Sequence, residues 1–182
     1  MNARNSLVVG AIGAGLFTTG LEAEVIHVEP IEVGSGLFSS FVQVDFQIGE
    51  TFVFEVFYND GATSSFDLLL TLNADEQLGF ELEYTPFDFG PFVTGLGYEG
   101  IFESGDGSNG EPFWGFWAKD HIDGTWAFPG AGAADHLAGN GSWSGWVFGN
   151  GQSPVDVIIP APGAAALLAG LLVARGSRRR VR

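Results

Sequence analysis

The amino-acid sequence predicts an α+β domain, a mixed sheet with one packed helix, framed by an N-terminal and a C-terminal apolar segment. Three observations carry that prediction. Period-two alternation of apolar and polar residues recurs in at least four places between Phe41 and Phe148, as half-buried strands require. A single stretch, opened by Ser64, has the signature of a helix start. The chain has no cysteine but 17 phenylalanines and five tryptophans, so an aromatic core must hold it without disulfides.

Taken in order, residues 1–23 follow the plan of a signal peptide. Arg4 supplies the positive start, Ser6 to Leu21 carries no charge, and Ala23 offers the small residue at the cut. Residues 24–40 read as a lead-in to the domain at 41–150. Val42, Val44, Phe46 and Ile48 alternate with Gln43, Asp45 and Gln47, and after Gly49-Glu50 the alternation resumes at Phe52, Phe54, Val56 and Tyr58. This predicts a hairpin, with the polar set facing solvent. Asn59-Asp60-Gly61 then breaks the pattern. Ser64 with Asp67 has capping-box spacing, and predicts a helix over about 65–76 that lays Phe66, Leu69 and Leu70 on the sheet.

Strand signals return at Leu78–Tyr84, at the glycine-rich Phe92–Phe102, at Phe113–Ala118 and at Trp143–Phe148, the last introduced by Asn140-Gly141. Residues 151–159 read as a linker to a tail at 160–182. From Val157 to Ala174 the chain is apolar for 18 residues, near the low end of the ~17 to 25 that span a bilayer. Arg175, Arg178, Arg179, Arg180 and Arg182 follow, and the positive-inside rule leaves them in the cytoplasm with the domain outside.

The order of Pro160-Ala161-Pro162, an apolar stretch and the cluster Arg178, Arg179 and Arg180 resembles the PEP-CTERM class of bacterial sorting tails, with alanine where the usual motif carries glutamate. That resemblance implies export by the Sec machinery, recognition by an exosortase-type membrane peptidase, removal of the tail, and association with exopolysaccharide or biofilm. Retention as a single-span membrane protein is the competing expectation. A second resemblance rests on Asn59-Asp60-Gly61-Ala62-Thr63, Phe66-Asp67-Leu68-Leu69, Gly105-Asp106-Gly107, Trp114-Gly115-Phe116-Trp117 and Gly141-Ser142-Trp143-Ser144-Gly145-Trp146. These pieces look like an extracellular β-grasp family similar to the C-terminal domain of transcobalamin, which implies a β-grasp-like fold and no particular activity.

Charge bounds the partners. From Glu24 to Ile159 there are 21 acidic side chains against one fixed cation, Lys119, a net charge of minus 20. Such a field repels phosphate, so nucleic acid is excluded as a partner. Two G-x-G-x-x-G matches, Gly95 to Gly100 and Gly105 to Gly110, open no predicted helix and are read as a glycine-rich strand and a loop. Asp106, Ser108, Asn109 and Glu111 are calcium candidates, because they put several oxygen ligands within six residues, although their spacing fits no EF-hand. No cofactor is otherwise expected. No nucleophile stands beside His27, His121 or His136 in sequence, so no catalytic residues are assigned. Trp114, Trp117, Trp126, Trp143 and Trp146 fall within 33 residues and cannot all lie on one face of a strand pair. Core packing is the first use expected of these rings; the alternative is that some face outward, where they would stack on a sugar or hold an apolar ligand. The sequence thus points to a non-enzymatic envelope or matrix protein, with a surface ligand-binding module as the alternative.

Overall fold

The computed structural model describes residues 26–159, so the expected signal peptide with its cut at Ala23 and the expected sorting tail from Pro160 through Arg178, Arg179 and Arg180 lie outside the described residues. The strands are β1 (Ile26–His27), β2 (Ile31–Gly34), β3 (Phe38–Asp45), β4 (Thr51–Tyr58), β5 (Glu81–Phe87), β6 (Gly90–Tyr98), β7 (Ile101–Ser104), β8 (Phe113–Lys119), β9 (Trp143–Gly149) and β10 (Val157–Ile158), with one helix, α1 (Ser65–Ala74), between β4 and β5. They form a mixed five-stranded sheet in the order β2-β4-β3-β9-β8, a three-stranded sheet β5-β6-β7, and a two-stranded pair β1-β10. This is the α+β arrangement of mixed sheet and single helix that the periodicity predicts.

The predicted hairpin is β3–β4, with Val42 opposite Phe54 and Val44 opposite Phe52. Its second face is not in solvent. Gln43 is fully buried and Asp45 nearly so, because β1 and β10 pack there with Ile26, Val28, Val157 and Ile159 around Val53 and Trp143. The sheet therefore separates two cores. The larger holds Val42, Val44, Phe54, Val56, Trp114, Trp146 and Phe148 against Phe66, Leu68, Leu69 and Leu72 of α1 and Val93, Leu96 and Tyr98 of β6. Ile48, expected on the strand, lies beyond its end and is exposed.

The capping box is present in full. Ser64 Oγ accepts the Asp67 N–H at 3.1 Å, and the Asp67 carboxylate accepts the Ser64 N–H at 2.9 Å. The helix ends at Ala74 rather than near residue 76, where the Asp75 cap takes extended dihedrals. It buries Phe66, Leu68, Leu69 and Leu72, while Leu70, expected on the sheet, faces outward. A spacing of three and four residues from Leu69 and Leu68 selects Leu72, and leaves Leu70 on the far side.

Phe92–Phe102 resolves into two strands, because Glu99 and Gly100 both take positive φ (53° and 80°) in a tight turn between β6 and β7. The first glycine pattern has a packing reason. Phe102 crosses the outer face of this sheet over Gly95 and Gly97, where an added Cβ would come within 2.7 and 2.8 Å of its ring. The lead-in and linker are also structured: Ile26 pairs with Val157 and His27 with Ile158, in parallel. Val157 and Ile158, counted above in the apolar run of the tail, are thus strand residues, and Val157 is buried. Among the described residues no helix is long and apolar enough to cross a membrane.

Candidate functional site: an apolar groove beside the edge strand

The alternation of β8 and β9 distributes the five tryptophans between the two cores. Trp114 and Trp146 enter the larger core and Trp143 the smaller, all three buried. Trp117 and Trp126 are half-buried. Both faces of the five-stranded sheet are covered, so three of the rings serve the cores and Trp117 and Trp126 keep part of their surface open. Trp114 Nε1 donates to the Glu103 carbonyl at 3.0 Å. The indole N–H groups of Trp117, Trp126, Trp143 and Trp146 are buried with no acceptor among the described residues. Each such group costs about 1 to 3 kcal/mol, a penalty set against the large apolar area that each ring removes from water.

Lys119 lies on the smaller-core face of β8. Its Nζ sits 4.5 Å from the ring centroids of both Trp126 and Trp143 and donates to the Ile122 carbonyl at 3.0 Å. Burial pulls its pKa down, against the opposing pull of the Asp156 and Asp123 carboxylates. The one fixed cation of the described residues is thus held between two aromatic faces.

A serine–histidine contact that the sequence does not announce joins distant segments. Ser144 Oγ donates to Ser65 Oγ at 2.8 Å, and Ser65 Oγ lies 2.9 Å from His136 Nδ1. Ser65 is fully buried and Ser144 nearly so, beneath the first turn of α1. The Ser65 N–H also donates to the His136 carbonyl at 2.8 Å. A nucleophile must be reachable by its substrate, so this chain of hydrogen bonds fastens the loop at 132–138 to the helix start. Among the calcium candidates, Asp106 Oδ1 accepts the Ser108 N–H at 2.8 Å. Hydrogen bonds from the Ser108 side chain and backbone hold the Asp106 carboxyl below its usual pKa. Asn109 stands at positive φ (54°) in the short 3-10 turn Ser108–Gly110 that Glu111 closes. Among the described residues no three His, Cys, Asp or Glu side chains come together as a metal site.

An apolar concavity lies beside β8, between it and β6. It is a groove of about 340 Å³, walled by Phe89 to Val93, Phe113 to Phe116, Phe128 to Ala134 and Trp146. At its mouth Phe87 and Phe89 stack in parallel, 5.1 Å apart with 5° between planes. They are 50% and 73% exposed, and Phe128 is 69% exposed. A second concavity, bounded by Thr85, Phe87, Phe89, Phe92, Thr94 and Asp106, shares Phe89 and Phe92 with the first. The exposed rings beside the groove are therefore phenylalanines, drawn from segments that only the fold brings together. Of the five tryptophans, Trp114 and Trp146 line the groove. Trp117 reaches its rim by an edge contact to Phe128 at 5.6 Å, whereas Trp126 and Trp143 belong to the other core.

No family model matches the chain, and no curated protein matches it. Among solved structures, the chain is similar to a crystal structure titled as that of a "putative metal binding protein" from Ruminococcus gnavus, at 16% identity and a TM-score of 0.42, over 63% of this chain and 99% of that one. It is also similar to haptocorrin in complex with Cbi, at 15% identity and a TM-score of 0.42, over 62% of this chain and 25% of that one.

Proposed function

We propose that the chain is an exported, non-enzymatic protein of the cell envelope or extracellular matrix: a β-grasp-like domain carried out by the Sec machinery and sorted through a PEP-CTERM-like tail. The observation that supports this best is where the fold closes. β1 begins three residues after Ala23, β10 ends two residues before Pro160, and the two strands pair with each other. Cuts at Ala23 and at Pro160-Ala161-Pro162 would therefore leave every strand in place. An exosortase-type peptidase is the partner that such a tail implies, and exopolysaccharide the neighbour. Mass spectrometry of the protein isolated from its own cells tests the reading. A chain starting near Glu24 and lacking the terminal arginines is expected; an intact Arg182 overturns the sorting step, and a retained Met1 the signal peptide.

A second reading, that the domain also holds a small ligand, is favoured by the groove beside β8. Its volume falls at the low end of known ligand sites, about 300 to 1,000 Å³, and its lining is aromatic and apolar. This lining suits an apolar body better than the hydroxyl-rich face of a sugar. Because Trp114 and Trp146 line the groove, tryptophan fluorescence against a panel of glycans, corrinoids and aromatic compounds reads occupancy directly. A flat response across the panel removes this reading and leaves a scaffold.

A further inference from the structure

We propose that the groove selects a cationic ligand: an ammonium group attached to an aromatic or other apolar body. This deepens the ligand-holding reading and rests on it. The two concavities that meet at Phe89 and Phe92 have one charged side chain between them, the Asp106 carboxylate. It lines the second, and the first is lined by uncharged residues throughout. A ligand long enough to occupy both places its apolar body against Phe113, Phe116 and Trp146, and its head beside Phe87, Phe89 and Asp106. Rings attract a cation through their negative faces when it lies within about 6 Å of the centroid, and the parallel Phe87–Phe89 pair leaves aromatic surface open to solvent.

Charge on the rest of the domain points the same way. Between Glu24 and Ile159 the chain carries 21 acidic side chains and one fixed cation. That cation, Lys119, is enclosed by Trp126 and Trp143 in the smaller core. The long-range field therefore draws in cations and turns away anions. With no Lys or Arg along either concavity, a carboxylate or phosphate on the ligand would have no counter-charge there.

Three probes with one naphthyl body test the inference: naphthylmethyl-trimethylammonium, naphthylmethanol and naphthylacetate. Each is titrated by calorimetry into the full chain in nanodiscs of zwitterionic lipid, with empty discs as the blank. The ammonium probe is expected to bind about tenfold more tightly than the alcohol, the product of ring attraction and one exposed charge pair, and the acetate more weakly than either. Asp106→Asn, at an exposed site whose replacement keeps an acceptor for Ser108, should narrow the ammonium-to-alcohol ratio about threefold. Phe89→Ala should weaken both. Equal affinities for all three probes, a preference for the acetate, or a ratio that Asp106→Asn leaves intact would overturn cation selection while the ligand-holding reading stands. Failure of all three probes to bind would overturn both.

Discussion

Gly145, in the middle of β9, decides whether the last described segment is a linker or part of the fold. A Cβ placed there would lie 2.5 Å from Pro154 Cγ and 2.8 Å from Trp126 Cζ3. Neither approach is possible without movement. Its φ lies outside the left-handed region, so alanine brings no backbone strain and the whole effect of Gly145→Ala is steric. The two clashing groups belong to the layer over the smaller core, which Pro154 enters on the way to β10 and Trp126 flanks. Overpacking of this kind costs roughly 1 to 3 kcal/mol. With an unfolding entropy of about 2.1 cal/mol/K per residue, a domain of this size should lose about 4 to 11 °C in Tm.

The place of the damage matters as much as its size. Val28 donates its N–H to the Ile158 carbonyl at 3.1 Å, and Val155 its N–H to Asp45 Oδ2 at 2.8 Å. Hydrogen exchange at these two amides should accelerate in Gly145→Ala more than exchange in β3 and β4 does, because the outer layer is displaced while the larger core stays packed. Gly61→Ala is the control. A Cβ there meets nothing within 4 Å, its φ is also ordinary, and its Tm should hold or rise slightly. If Gly145→Ala melts with the parent chain and both amides keep their protection, Pro154 to Ile159 is a loose linker and the two-core description is wrong.

Ser64→Ala removes the acceptor for the Asp67 N–H and one partner of the Asp67 carboxylate. It should cost about 0.5 to 2 kcal/mol, read as a lower Tm, and an unchanged Tm would mean that contacts other than the box hold the helix start. Asp45 gives the pH dependence. Burial raises its pKa above the usual 3.8, against hydrogen bonds from the Gln43 side chain, the Val155 N–H and Thr51. The folded state therefore binds this proton more tightly than the unfolded chain does, so the stability it contributes is complete below about pH 3.8 and is lost as pH rises through the folded value. Asp45→Asn cannot ionise, and its Tm relative to the parent should climb between pH 4 and pH 7. A Tm difference constant over that window would refute the assignment.

The elements legible in the sequence are those whose signal is local. The β3–β4 hairpin shows because eight-residue strands repeat the alternation enough times to be seen, and α1 because Ser64 and Asp67 satisfy each other within one turn. The second core was not legible. β1 and β10 have two residues each, too few for any period, so Gln43 and Asp45 read as solvent-facing when a strand pair from the two ends of the domain covers them. The groove was hidden for a related reason, since its walls come from four segments between Phe89 and Trp146 whose spacing means nothing before β6 and β8 are placed side by side. The tryptophan cluster was visible as a composition but not as a site. Alternation along β8 and β9 correctly separates Trp114 from Trp117, yet it cannot tell that both faces are covered.

The position of β10 bears on the two fates open to the tail. Counted from Val157, the apolar run reaches 18 residues and just meets the length of a membrane span. The fold, however, uses Val157 and Ile158 as a strand, with Val157 buried and Ile159 packed against the same core. A fully folded domain leaves Pro160 to Ala174, 15 residues, before Arg175. That is short of the ~17 residues a spanning helix needs, and two of them are prolines near its start. A span lengthened by drawing on Val157 and Ile158 would cost the fold the buried Val157 and the Val28 hydrogen bond to Ile158. Sorting requires only that the tail rest in the membrane until it is cut. On the proposed sorting route, a variant with three leucines inserted after Leu168 is expected to be retained with its arginines intact, and the parent chain to be released without them. Release of the lengthened variant at the parent's rate would show that span length does not decide the outcome.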